Sequence, residues 1–199
     1  MKSVLISIQP KWVEKIASGE KTIEVRKTRP KLETPFKCYI YCTKAEKTNT
    51  LYYMANIDLG RTAYNGKVIG EFICDKIYNL FPFAMGTGIE LLDELVSPEM
   101  FCKESCLTEQ EICDYIGEKD GYGWHISDLK IYDKPKELSE FYSAKCDMSC
   151  ENKKRGFNMD FCMAYENGSH FCKELNCDKK RLTRPPQSWC YVESGVQCE

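Results

Sequence analysis

The alternation of apolar and polar positions predicts short strands with a few helices between them. Ser3–Ile8 is a compact apolar run and reads as a buried strand. Pro10 suits the first turn of a helix, where its missing N–H costs nothing. Trp12, Val13, Ile16 and Ala17 then share one helical face, opposite Lys11, Glu14 and Lys15. Gly19 stands where a left-handed helix stop is expected. Thr22–Lys27 alternates, with Ile23 and Val25 on one side and Thr22, Glu24 and Arg26 on the other. Residues 28–35 form a basic loop punctuated by prolines, and Phe36–Thr43 is apolar enough for a central strand buried on both faces. A polar insertion over residues 44–65, with a short helix at Leu51–Ile57, leads to a strand over Lys67–Ile77. Gly70 inside that strand signals a bulge or a close backbone approach.

Further along, residues 80–104 read as irregular, with a helix expected at Ile89–Val96. Thr108 and Glu111 form a capping box, stapled by Leu107 and Ile112, for a helix that ends by Gly117. Tyr122, Trp124 and Ile126, then Leu129 and Ile131, predict one long, bent strand over Gly121–Asp133. A proline-opened turn or short helix follows over Lys134–Phe141. Residues 143–183 are polar and poor in aliphatics. Arg184–Val192 gives a rigid extended entry and a short strand, and Trp189 and Tyr191 are placed to return this end to the main fold. The pattern thus divides the chain into a globular part over residues 1–142 and a Cys-rich extension over 143–199.

Charge changes this picture at the N-terminal end. The net charge is −2, yet residues 1–48 hold eleven Lys or Arg against five Asp or Glu, and residues 90–120 hold ten acidic residues against two lysines. A basic third in a near-neutral protein suits an anionic partner such as RNA, although a solvated basic face has the same composition. No apolar run approaches the roughly 18 residues of a membrane span. Val4–Ile8 is too short for a secretory leader, so a cytoplasmic location is expected.

Thirteen cysteines in that setting read as thiols or metal ligands rather than disulfides. Cys146-x3-Cys150 and Cys172-x4-Cys177 are spaced as a structural zinc set, with Cys162, His170 and Cys190 as substitutes. A polar segment with so few aliphatics needs a staple, which zinc would supply; unligated thiols on a loop are the alternative.

The densest chemistry lies at Ser18–Lys27. Lys21, Glu24 and Arg26 follow a glycine turn and converge at a strand mouth. As a hydrolytic set, Lys21 would polarise an amide carbonyl or act as base, Glu24 would activate water, and Arg26 would hold a carboxylate, phosphate or carbonyl oxygen. As a binding set, Lys11, Lys21, Arg26, Lys27, Arg29 and Lys31 would meet phosphates and Trp12 or Trp124 would stack a base, with Glu24 and Glu71 as candidate carboxylates; an exposed strand position is the alternative for Glu71. His125 joins this set only if it faces Lys21 and Glu24. Binding demands less of the residues, because it requires no shifted lysine.

Ile16-Ala17-Ser18-Gly19-Glu20-Lys21-Thr22-Ile23-Glu24-Val25-Arg26 resembles the ASCH-domain signature G-x-K-x-x-E-x-R at every defined position. Val68–Phe72 and Trp124–Ile126 are similar to later parts of that family. The resemblance covers roughly residues 1–135 and excludes most of the Cys-rich region. The ending Arg184-Pro185-Pro186-Gln187-Ser188-Trp189 is similar to that of some bacterial and phage-type relatives. The resemblance implies an α+β protein built on a small PUA-like barrel, mixed or antiparallel, with flanking helices and a cleft beside the signature that binds RNA or a nucleotide-like ligand. One branch of the family resembles amidohydrolases acting on acetylated cytidine, with a lysine, a threonine three residues later and a later glutamate as working residues. Here the lysine is Lys21, but the threonine position holds Glu24, and Glu104 or Glu109 fits the glutamate by order alone. A third class of function, a protein-interaction scaffold using the cysteine tail, stands apart from the cleft.

Overall fold

The computed structural model describes residues 2–44, 66–83, 88–93, 96–143 and 181–193. The helix expected at Leu51–Ile57 and the candidate zinc residues Cys146, Cys150, Cys162, His170, Cys172 and Cys177 lie outside the described residues. The chain runs β1 (Lys2–Ile8), α1 (Pro10–Ala17), β2 (Ile23–Arg26), β3 (Phe36–Cys42), β4 (Val68–Cys74), β5 (Ile77–Pro82), β6 (Ile89–Leu91), α2 (Pro98–Ser105), α3 (Glu109–Ile116), β7 (Gly121–His125) and β8 (Ser127–Lys136). A 3-10 turn (Leu138–Glu140), β9 (Tyr142–Ser143) and β10 (Trp189–Glu193) follow.

The strands form two sheets rather than a closed barrel. One has the order β8-β4-β3-β1-β10-β9 and the other β2-β7-β5-β6. All pairings are antiparallel except β1 with β3, which run parallel with Ile6 opposite Ile40. The fold is therefore α+β with a PUA-like mixture of strand directions. Among the described residues no helix is long and apolar enough to cross a membrane.

The layers follow from strand alternation. Val4, Ile6, Ile8, Cys38, Ile40 and Phe72 of the six-stranded sheet meet Trp124 of the four-stranded sheet in one core, closed at one side by Val13 and Ile16 of α1. The opposite face of the four-stranded sheet, with Ile23, Val25, Tyr78 and Leu80, packs under Phe101 of α2 and Ile112 and Ile116 of α3. A third cluster, with Leu5, Tyr39, Tyr41, Leu138, Phe141 and Val192, covers part of the outer face of the six-stranded sheet.

Several expected elements are redrawn. The strand expected over Gly121–Asp133 is two strands in different sheets, joined at Ile126 and followed by a left-handed Asp128. Ile89–Leu91 is a strand paired with β5, not the start of a helix. The irregular region instead contains α2, which begins with Ser97 as N-cap accepting from Met100 N and Pro98 in the first turn. Gly70 does sit at a bulge: a Cβ there would lie 2.5 Å from the carbonyl oxygen of Lys130. Trp189–Glu193 pairs with β1 from Ile6↔Trp189 to Lys2↔Glu193, so this late segment completes the six-stranded sheet.

Candidate functional site

Three local features bring Lys21, Glu24 and Arg26 together. α1 ends at Ala17 with Ser18 as its C-cap, and Gly19 takes φ of +80°, which turns the chain sharply toward α2. Thr22 N then donates to Glu104 O over 2.9 Å, anchoring the turn to the last part of α2. β2 follows with Glu24 opposite Trp124 and Arg26 opposite Tyr122 on β7, so these four side chains share one face. That face looks between the two sheets. Both faces of β2 are consequently covered, and Lys21, Glu24 and Arg26 are all buried.

The three charges form a chain. Arg26 Nη2 lies 2.9 Å from Glu24 Oε1, and Lys21 Nζ lies 3.5 Å from Glu24 Oε2. Lys21 also donates to the carbonyl of Ser105 over 2.6 Å, and Arg26 Nη2 donates to the carbonyl of Ser7 over 2.6 Å. Arg26 Nη1 donates to Ser188 Oγ over 3.4 Å. Burial lowers the Lys21 pKa, and attraction from Glu24 only partly opposes that shift. Arg26 Nε and Trp124 Nε1 are buried without a hydrogen-bond partner, which leaves the floor rich in donors.

The rim differs in character. The half-buried Trp12 ring has Lys11 Nζ 4.4 Å and Lys21 Nζ 5.1 Å from its centroid. Lys27 lies 5.2 Å from the ring of Tyr115, and the Arg29 guanidinium lies 6.0 Å from that of Tyr122. Lys11, Lys27, Arg29 and Lys31 are exposed. The segment before β10 makes the remaining wall: Ser7 Oγ donates to Pro186 O, Ser7 N donates to Ser188 O, and Trp189 Nε1 donates to Thr28 Oγ1.

Other residues expected at the site lie elsewhere. Trp124 is fully buried, packed edge-on with Phe36 and tilted against Trp189, so its ring is core and has no face open for stacking. Glu71 faces the other side of the six-stranded sheet, where Lys37 lies 3.1 Å away and Tyr132 donates to it over 2.6 Å. His125 pairs with Ile23 rather than Glu24, so it points away from the floor. Glu104 reaches the site through its backbone carbonyl, and Glu109 lies beside Gly88. Cys190 is a half-buried thiol packed on the outer core, its pKa pushed up to about 11 by burial. Among the described residues no group of three or more His, Cys, Asp or Glu is arranged to hold a metal ion.

Three partners escaped the sequence reading: Ser7, Ser105 and Ser188. Two act through backbone carbonyls, which no side-chain pattern announces. Ser188 lies in the Arg184–Trp189 ending, and the similarity of that ending to relatives was its only signal.

No family model and no curated protein matches the chain. Among solved structures it is similar to an ASCH protein from Zymomonas mobilis. A serine-to-alanine variant of that protein aligns over 96% of this chain and 88% of its own, with a TM-score of 0.50 and 17% identity. The chain has the ASCH fold. Two further crystal structures of the Zymomonas protein are also similar. The unsubstituted protein aligns over 68% of this chain and 73% of its own at TM-score 0.45, and a tyrosine-to-phenylalanine variant over 69% and 77% at 0.46, each at 20% identity. In this ASCH fold the signature stretch marks the floor between the sheets, and the late strand supplies one wall.

Proposed function

We propose that the mouth above the Lys21–Glu24–Arg26 floor binds RNA or a nucleotide-like ligand. The observation that carries this reading is the half-buried Trp12 ring at the rim, with Lys11 and Lys21 ammonium groups 4.4 and 5.1 Å from its centroid. A half-open ring beside cations suits a base on its face and a phosphate at its edge. Phosphate contact falls to the exposed Lys11, Lys27, Arg29 and Lys31. The buried Lys21 and Arg26 instead fix the carboxylate of Glu24 and shape the floor.

Anisotropy titrations of a labelled single-stranded RNA across a salt series test this. The logarithm of affinity should fall linearly with the logarithm of salt. Replacing Lys11 and Arg29 together with Ala should weaken binding and lower the slope by about 1.4, from roughly 0.7 per phosphate contact on a single strand. Trp12→Ala should cost about 1–3 kcal/mol of binding with the slope preserved. Absence of binding at low salt would sink the proposal.

Burial of Lys21 favours a second reading, an amidohydrolase on a modified nucleoside such as acetylcytidine. A desolvated lysine sheds its proton more readily than a solvated one and can polarise or deprotonate. Glu24 in the threonine position requires a water-activating role instead of a hydroxyl nucleophile. Turnover of acetylcytidine that disappears in Lys21→Ala supports this reading; an inactive native protein from acid to alkaline pH rejects it. Zinc at Cys146, Cys150, Cys172 and Cys177 rests on spacing, and metal stoichiometry of protein purified under reducing conditions decides it.

A further inference from the structure

The chain crosses between the two sheets at two adjoining corners. Residues 75–76 carry it from β4 to β5, and Ile126 carries it from β7 to β8. The corners are laced together. His125 N donates to Lys76 O over 3.0 Å and Ser127 Oγ donates to Ile73 O over 2.9 Å, while Ile126 N ties the second corner to the turn before β2 by donating to Thr22 O over 2.8 Å. Across the same corners His125 Nδ1 and Asp75 Oδ1 lie 2.7 Å apart. The other links involve backbone groups and a hydroxyl, whose charge does not change with pH. The link changes from a hydrogen bond between an uncharged imidazole and the Asp75 carboxylate to an ion pair when the ring gains a proton.

We propose that the His125–Asp75 pair is a proton-operated clasp that tightens the junction of the two sheets when His125 is protonated. Burial is the largest influence on Asp75 and raises its pKa, but the hydrogen bond and charge attraction from His125, with hydrogen bonds from its own backbone and Ser127, together hold the carboxyl below its usual value. Burial pushes the Cys74 thiol up to about 12 and also raises Tyr78 of β5. Lys76 is raised by its hydrogen bond to Asp93 and stays charged. Glu104 of α2 lies near Tyr78 and adds an acidic side chain to the same surroundings. The clasp bears on the binding floor through the chain itself. His125 follows Trp124, the β-sheet partner of Glu24, and Ile126 is bonded to Thr22, the neighbour of Lys21.

Amide exchange followed by NMR tests the proposal without any ligand. After correction for intrinsic rates, protection at His125 and Ile126 should be several-fold greater at pH 5.5 than at pH 8. Protection at Leu5 and Ile40 in the six-stranded sheet serves as the reference. The His125→Gln and Asp75→Asn variants should each lose that difference. A ring titration of the native protein guards against variants that fail to fold, because the change in protection must share its midpoint with the His125 Cε1–H signal. An unchanged pH response in His125→Gln, or a native midpoint that departs from the ring titration, overturns the clasp.

Discussion

Glu24 holds the floor together because, among the described residues, it is the carboxylate paired with both buried cations. Its two oxygens face Lys21 and Arg26 separately, so deleting the side chain leaves two like charges with reduced access to water. Glu24→Ala should therefore cost about 3–5 kcal/mol, the usual penalty for removing one partner of a buried pair. Urea unfolding measures it, and a loss below about 1 kcal/mol would mean that the pair is hydrated. Lys21 gives a second expectation. Its folded pKa lies below the unfolded value of 10.5. At lower pH both states keep the proton and the burial penalty is present in full. Between the folded value and 10.5 the unfolded state binds more protons, so stability rises with pH through that window. Lys21→Met should remove this rise, seen as a flatter stability profile on the alkaline side. Glu24 and Arg26 were legible as same-face neighbours because strand alternation fixes side. The burial of that face was not legible, because it depends on the six-stranded sheet lying opposite.

At the scale of elements, local chemistry was readable wherever it was self-contained. Thr108 and Glu111 form the capping box their spacing predicts, and Gly19 makes its turn. α2 carried comparable signals in Ser97, Pro98 and Glu99, but its short apolar pattern hid them. The three residues of β6 are too few for periodicity to separate strand from helix. The division between β7 and β8 was invisible because alternation continues through Ile126 while the chain changes sheets. Gly123 in β7 offers a sharper test of packing. A Cβ there would lie 2.5 Å from the ring of Phe101 and 3.0 Å from Ile23, so α2 would have to move. Gly123→Ala should destabilise by about 1–3 kcal/mol. Because α2 supplies the carbonyl that holds Lys21, the same change should weaken ligand binding at the mouth; unaltered binding would disconnect α2 from the floor.

For the whole molecule, the parallel pairing of β1 with β3 and the placement of β10 against β1 are non-local, and no window of sequence contains them. The aromatic pair Trp189 and Tyr191 pointed to a return of the late segment, but not to its position inside a sheet. That position joins the folding of the late segment to the wall of the proposed binding mouth. Deleting residues 181–199 would uncover one side of β1 and remove Ser188 and Trp189 from the wall. The shortened protein should lose cooperative thermal unfolding together with binding, as calorimetry and anisotropy would show. Retention of both would assign β10 a peripheral role.

The pairing of Lys2 with Glu193 also makes synthesis and folding run out of step. A chain emerging from the ribosome can close its α2–α3 layer early, since β2, β5, β6 and β7 are made within the first 125 residues. The six-stranded sheet must wait for its late strand, with β1 open along one edge. Bringing together ends so far apart carries a large loop-closure entropy and a high contact order. The nascent chain therefore passes through a half-built stage in which one apolar layer exists and the other still offers a strand edge to any passing β-segment. Chaperone dependence and misassembly should concentrate at that stage.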